Sequence, residues 1–96
     1  MKLSLAFLLS YAISYNSAFA HSAKELANTC MSCHGENGVS NNPLWPNLAS
    51  QKKDYLVKQL KAFRSEDRKD PLMNPTAKAL SDDEIEKLAT YFSNLK

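Results

Sequence analysis

The sequence predicts an all-α fold: three main helices and two long loops wrapped around a central group that is not protein. Three observations carry this reading. Apolar residues recur at helical spacing in three stretches, around Leu26-Ala27, Leu56-Leu60-Phe63 and Ile85-Leu88-Ala89-Phe92. Nowhere do apolar and polar residues alternate as in a strand, and there is no internal repeat or low-complexity tract. The segments between the helical stretches are rich in Pro, Asn and Gly, and are long for a small domain unless they have a function. With 96 residues the chain has room for one domain.

The first twenty residues fit a cleaved signal peptide. Lys2 supplies the positive start, Leu3 to Ile13 is mostly apolar, and Ala18-Phe19-Ala20 matches the small-x-small cleavage pattern. The apolar run is shorter than the roughly 20 residues a membrane span requires. The expected product is residues 21–96, exported to the periplasm and without a membrane span.

Along the mature chain, Ser22 and Glu25 have the spacing of a capping box and start a helix at Ala23 that runs to near Cys33. Gly35 and Gly38 follow at once, where the chain must turn sharply and a positive φ is required. Val39 to Ser50 contains Pro43 and Pro46 and reads as an irregular loop, with Trp45 and Leu48 folded against the central group. Ser50 is expected to cap a second helix from Gln51 to about Phe63, which buries Leu56, Leu60 and Phe63 with Tyr55 alongside. Asp70-Pro71 ends that helix and leaves Met73 in a loop bracketed by Pro71 and Pro75. Ser81 and Glu84 form a second capping box, with acidic residues at the positive end of the last helix, Asp82 to about Asn94.

The chemistry is concentrated in Cys30-Met31-Ser32-Cys33-His34. Cys-x-x-Cys-His is the attachment signature of a c-type haem. Cys30 and Cys33 can form thioethers to the two vinyl groups on one porphyrin edge, and His34 can then reach the iron. A covalent haem also supplies the apolar staple that so short a chain needs. A Cys30–Cys33 disulfide would close only a tiny loop. For the opposite axial position, Met31 lies inside the motif and no histidine follows His34, which leaves Met73. A thioether ligand raises the reduction potential relative to a second imidazole. With both axial positions filled, one-electron transfer remains.

Rival uses of these residues fit less well. A thioredoxin-like dithiol expects a βαβ setting, which is absent. A structural zinc site needs four ligands, but only Cys30, Cys33, His34 and His21 are on offer, and Cys33 and His34 are adjacent. His21, at the expected new N-terminus, lacks a second histidine with which to hold copper.

Charge is modest. Of 12 Lys and Arg, Lys2 falls in the leader, which leaves 11 against 10 acids. The two carboxylates of a haem would bring the loaded protein to about −1. Residues 52–69 carry a local +4 and residues 70–96 a local −2. Such a dipole can steer docking to an acidic partner, but alternating charge on solvated helix faces is the better explanation. Nothing here suggests binding to nucleic acid.

The chain resembles the class I c-type cytochromes, in particular the small soluble bacterial single-haem type. The resemblance covers nearly all of 21–96. It rests on Cys-Met-Ser-Cys-His-Gly at 30–35, Pro-Asn-Leu-Ala at 46–49, Tyr-Leu-x-x-Gln-Leu at 55–60, Met73 and Leu-Ala-Thr-Tyr-Phe at 88–92. It implies one covalent haem c on Cys30 and Cys33, with His34 and Met73 as axial ligands. It also implies crossed terminal helices in which Leu26 meets Leu88 and Tyr91, and a Pro46 carbonyl that accepts a hydrogen bond from the His34 ring. Ser50 stands where similar sequences have glycine, and Leu26 where larger relatives carry an aromatic residue. The expected function is that of a monomeric electron shuttle between larger redox proteins, not itself an enzyme. The alternative is the cytochrome subunit of a dehydrogenase complex. A peroxidase or a gas sensor would require Met73 to leave the iron.

Overall fold

The computed structural model describes residues 21–96; the expected leader, 1–20, lies outside the described residues. Four helices follow one another: α1 (Ala23–His34), α2 (Lys53–Ser65), α3 (Met73–Lys78) and α4 (Asp82–Asn94). A short 3₁₀ turn, Glu36–Gly38, follows α1. The described residues contain no strand. None of their helices is long and apolar enough to cross a membrane.

Helices α1 and α4 pack against each other, and α2 lies against α3 and α4. Ala27, Leu56, Leu88, Ala89 and Phe92 form the central cluster, with Leu26 and Tyr91 packed on it. Ala27 of α1 and Ala89 of α4 are both fully buried in this cluster. Burying side chains such as Leu88 and Ile85 contributes about 1.5–3 kcal/mol each.

The capping box of α4 is complete. Ser81 Oγ accepts from the Glu84 amide at 3.1 Å, and the Ser81 amide donates to Glu84 Oε1 at 3.0 Å. At α1 only half the box forms: Ser22 Oγ accepts from the Glu25 amide, while the Glu25 carboxylate takes the Ser22 hydroxyl and lies 3.3 Å from His21 Nδ1. The two glycines are required where they stand. Gly35 has φ 89°, and a Cβ there would lie 1.7 Å from the Val39 carbonyl oxygen; Gly38 has φ 75° and sits against the Ala49 amide and the Phe92 ring.

Two expectations need correction. Ser50 does not cap α2, which begins at Lys53 after an N-cap at Lys52 without a side-chain bond. Instead Ser50 takes a left-handed conformation, φ 64°, as a glycine would. Its amide donates to the Phe92 carbonyl at 3.0 Å and its hydroxyl to the Leu95 carbonyl at 2.7 Å. The serine is spent on holding the end of α4. Nor does Met73 lie in a loop: it opens α3, with Pro75 in the first turn. First-turn amides have no acceptor within the helix, so a proline there begins a helix rather than excluding one.

Two basic residues of α2 are paired within the molecule. Lys53 meets Glu86, and Arg64 bonds both Asp82 and the Leu80 carbonyl. Lys78 of α3 reaches Glu66. The hydrogen bond from Arg64, reinforced by its charge, holds the Asp82 carboxyl below the usual aspartate range. A depressed carboxyl stabilises the fold above the unfolded pKa, and that contribution is lost as pH falls through the folded value. Arg64→Gln is therefore expected to be less stable than the parent at pH 7. The difference should narrow below about pH 4, where an unfolded aspartate takes up its proton. Urea unfolding of both proteins across pH 3–7 measures this, and a gap that stays constant with pH would exclude the pairing as its source.

Candidate haem site

The motif lies on the last turns of α1. Cys30 and Cys33 are three residues apart and His34 is four from Cys30, so the helix places all three on neighbouring positions of one face. All three line a cavity of about 380 Å³ bounded by α1, the 39–50 loop, α2, α3 and α4. Its walls are largely apolar, with Leu48, Leu56, Leu60, Phe63, Leu88 and Phe92 among them. Trp45 and Met73 line the same cavity.

His34 is buried, and its Nδ1 lies 2.8 Å from the Pro46 carbonyl oxygen. A carbonyl can only accept, so Nδ1 carries the proton and donates. In the neutral ring this leaves the lone pair on Nε2, the arrangement in which an imidazole binds a metal. Pro46 in turn belongs to a loop fastened on both sides. The Leu48 and Ala49 amides donate to the Gly38 carbonyl, and the Ser50 amide to that of Phe92.

The cysteines are both free thiols. Burial pushes the Cys30 thiol up to about 11, so at neutral pH it is protonated and apolar in character. Cys33 is exposed. Two thiols and a lone-pair imidazole on the wall of an apolar cavity suit a flat hydrophobic group that is fixed through carbon–sulfur bonds and carries a metal at its centre.

Met73 is placed by residues that sequence reading valued only as helix breakers. Asp70 Oδ1 accepts from the amides of Leu72 at 2.9 Å and Met73 at 2.8 Å. These bonds, with that of Met73 the stronger influence, hold the Asp70 carboxyl below its ordinary value. The Asn74 side chain accepts from the Asp70 amide at 2.7 Å and donates to the Phe63 and Arg68 carbonyls, each at 2.8 Å. Met73 thus stands on a polar knot joining the end of α2 to the start of α3. The available signal was Asp70-Pro71 followed at position 74 by Asn, the residue types that bond to nearby backbone. Asp70→Ala is expected to lower the thermal midpoint of the loaded protein by several degrees. Asp70→Asn, whose amide oxygen still accepts, should lose less. Equal losses in a thermal melt would show that the carboxylate does not anchor this turn.

Comparison with known proteins identifies the family. The Cytochrome c family profile matches residues 20–96. Cytochrome c-554(548) of Halomonas halodenitrificans is 38% identical over 78 residues, covering 78% of this chain and 94% of that protein. A thiosulfate dehydrogenase electron acceptor of Stutzerimonas stutzeri is 45% identical over 69 residues, which is 69% of this chain but 32% of the relative. Among solved structures, cytochrome c4 of Acidithiobacillus ferrooxidans superposes with a TM-score of 0.73 at 32% identity, over 90% of this chain and 54% of that one. The chain thus spans nearly all of one relative and a third to a half of the longer ones. It belongs to the cytochrome c family, as a haem- and iron-binding electron-transport protein of class I.

Proposed function

We propose that this is a periplasmic carrier with a single covalent haem, which shuttles one electron at a time between larger redox proteins and is not itself an enzyme. The observation that carries the proposal is one apolar cavity lined by Cys30, Cys33, His34 and Met73 together. Export is supported by the Lys2-led apolar leader with its Ala18-Phe19-Ala20 end.

When bound, the haem supplies an iron centre that gains and loses one electron. Cys30 and Cys33 would hold the group through thioethers. His34 offers the Nε2 lone pair from one element, its ring fixed by the Pro46 carbonyl. Met73 offers a soft sulfur from another, on the turn held by Asp70 and Asn74. With both His34 and Met73 serving as ligands, oxygen, peroxide and carbon monoxide would find no open site. Leu44 and Leu72, 84% and 54% exposed, stand at the cavity and give a docking partner an apolar contact close to the redox centre.

A second reading is a carrier dedicated to one dehydrogenase, supported by the likeness to a relative that accepts electrons from thiosulfate dehydrogenase. Co-purification with a dehydrogenase would favour it, whereas a free monomer on gel filtration favours the shuttle.

The ligation reading expects a weak sulfur-to-iron band in the far red of the oxidised spectrum. It also expects a ferrous spectrum that carbon monoxide leaves unchanged. A missing band with ready carbon monoxide binding would open the sixth position and bring sensing or peroxide chemistry forward. Met73→His is expected to keep covalent haem but to lower the reduction potential markedly, because imidazole favours the ferric state more than a thioether does. An unchanged potential in a redox titration would remove Met73 from the iron.

A further inference from the structure

His21 is one of two histidines in the chain and takes no part in the haem site. The other, His34, is buried and bonded to Pro46. His21 directly precedes Ser22, the residue that caps α1, and Glu25 lies one helical turn further on. The ring approaches Glu25 through Nδ1, which stands 3.3 Å from Oε2. The other carboxylate oxygen, Oε1, accepts the Ser22 hydroxyl at 3.2 Å. The carboxylate is thus fixed at one oxygen and presents its second to the ring. The two side chains are 58% and 64% exposed, so a solvated ion can reach both. The bond from His21, followed by that from Ser22, holds the Glu25 carboxyl below its ordinary value, so it is ionised at neutral pH.

Which ring nitrogen meets Glu25 decides what the pair can do. Nδ1 is the nitrogen nearer the residue's own backbone, and so the one that can close a chelate ring with the backbone nitrogen of His21. In the uncut chain that nitrogen is an amide and binds metals poorly. Cleavage after Ala20 converts it to a free amine, whose ordinary pKa of about 7.7–8.0 lets it give up its proton to a metal near neutral pH. An amine, an imidazole and a carboxylate then converge. Nitrogen and oxygen ligands stand about 2.0–2.2 Å from a divalent transition-metal ion, which puts neighbouring ligands roughly 3 Å apart. The observed spacing of Nδ1 and Oε2 is close to that. In the metal-free protein a proton joins ring and carboxylate, and a metal ion would take its place.

We propose that cleavage after Ala20 creates a copper(II) site at the new N-terminus, formed by the His21 α-amine, His21 Nδ1 and a Glu25 carboxylate oxygen. The inference rests on the cleavage reading above and is independent of how the haem iron is ligated. Two nitrogens and an oxygen leave the last position of a square to water, and a tetragonal set of nitrogen and oxygen ligands is what copper(II) prefers. Copper(II) also stands at the top of the affinity order for divalent first-row ions with such ligands. Calcium and magnesium favour all-oxygen sites and compete poorly. A second histidine is not required, because the first turn of α1 brings a carboxylate in its place.

The test uses the exported, haem-loaded protein, in which Cys30 and Cys33 are taken up by the cofactor and cannot bind copper themselves. Mass spectrometry first establishes whether the chain begins at His21. One equivalent of copper(II) is then added; electron paramagnetic resonance gives the ligand set, and competition with free glycine gives the affinity. The expected spectrum is axial, with hyperfine coupling to two nitrogens. His21→Ala should abolish that spectrum and weaken binding by about a hundredfold or more, and Glu25→Gln should weaken it by about tenfold while both nitrogens remain. Both residues lie outside the haem cavity, so the haem spectrum should match the parent's in each variant. A chain that begins at His21 but binds copper as tightly in either variant as in the parent overturns the proposal. A chain that begins elsewhere overturns the cleavage reading, and the site with it.

Discussion

The hydrogen bond from His34 Nδ1 to the Pro46 carbonyl is the contact on which the rest of the site depends. It joins the last turn of α1 to a loop that has no regular structure of its own. It fixes the proton on one ring nitrogen and so determines which nitrogen faces the cavity. The acceptor is well chosen for a fixed position, since proline has its φ locked and the next residues are bonded to Gly38. Gly35 and Gly38 exist to make that approach possible, because any Cβ at 35 would collide with the Val39 carbonyl. From there the constraint passes to α4 through Ser50, whose two bonds to Phe92 and Leu95 close the loop against the helix that packs on α1.

Seen from this bond, the two halves of the site are supported differently. The His34 side is held mainly by backbone carbonyls and glycine turns. The Met73 side is held by side chains: Asp70 fastens the amides at the start of α3, and Asn74 spans three backbone groups. Either arrangement limits movement of a residue placed to meet a metal. In a carrier that cycles between two oxidation states, rigid surroundings reduce the structural change that each electron must drive. The apolar part of the lining serves the same end, since Leu48, Leu56, Leu60, Phe63, Leu88 and Phe92 carry no dipole to reorient.

How much of this was legible in the sequence depended on whether the signal was local. Helix α4 has a reciprocal cap and a continuous apolar stripe, and its limits at Asp82 and Asn94 follow from those alone. The all-helical class follows from the same periodicity. Ser50 was misread because the side chain that caps helices also tolerates a left-handed turn, and the choice was made by Phe92 and Leu95, more than forty residues away. Met73 was placed in a loop because prolines were read as breakers, although both flank a helix start, where they are tolerated. The cysteine–histidine cluster could be read directly, because covalent attachment demands a fixed spacing. The stacking of Arg68 on Phe63, with its bond to Gln59, could not, since such contacts are products of tertiary placement.

Surface charge shows why local and tertiary information must be combined before a partner is inferred. The run from 52 to 69 looks like a basic docking face when counted along the chain. In the fold, Lys53 and Arg64 are matched by acids of α4, and Glu66 of the same run takes Lys78. Exposed pairs of this kind contribute little stability, and they trim the local charge only slightly, because Lys52, Lys58, Lys61 and Lys69 form no ion pair among the described residues. The exposed features nearest the cavity are instead apolar, Leu44 and Leu72. Contact through such residues depends on short-range fit more than on long-range attraction, and it releases readily. On the proposed shuttle reading, that suits a protein that must leave each partner after a single electron has moved, with the apolar contact at the mouth of the cavity and the basic residues of α2 beside it.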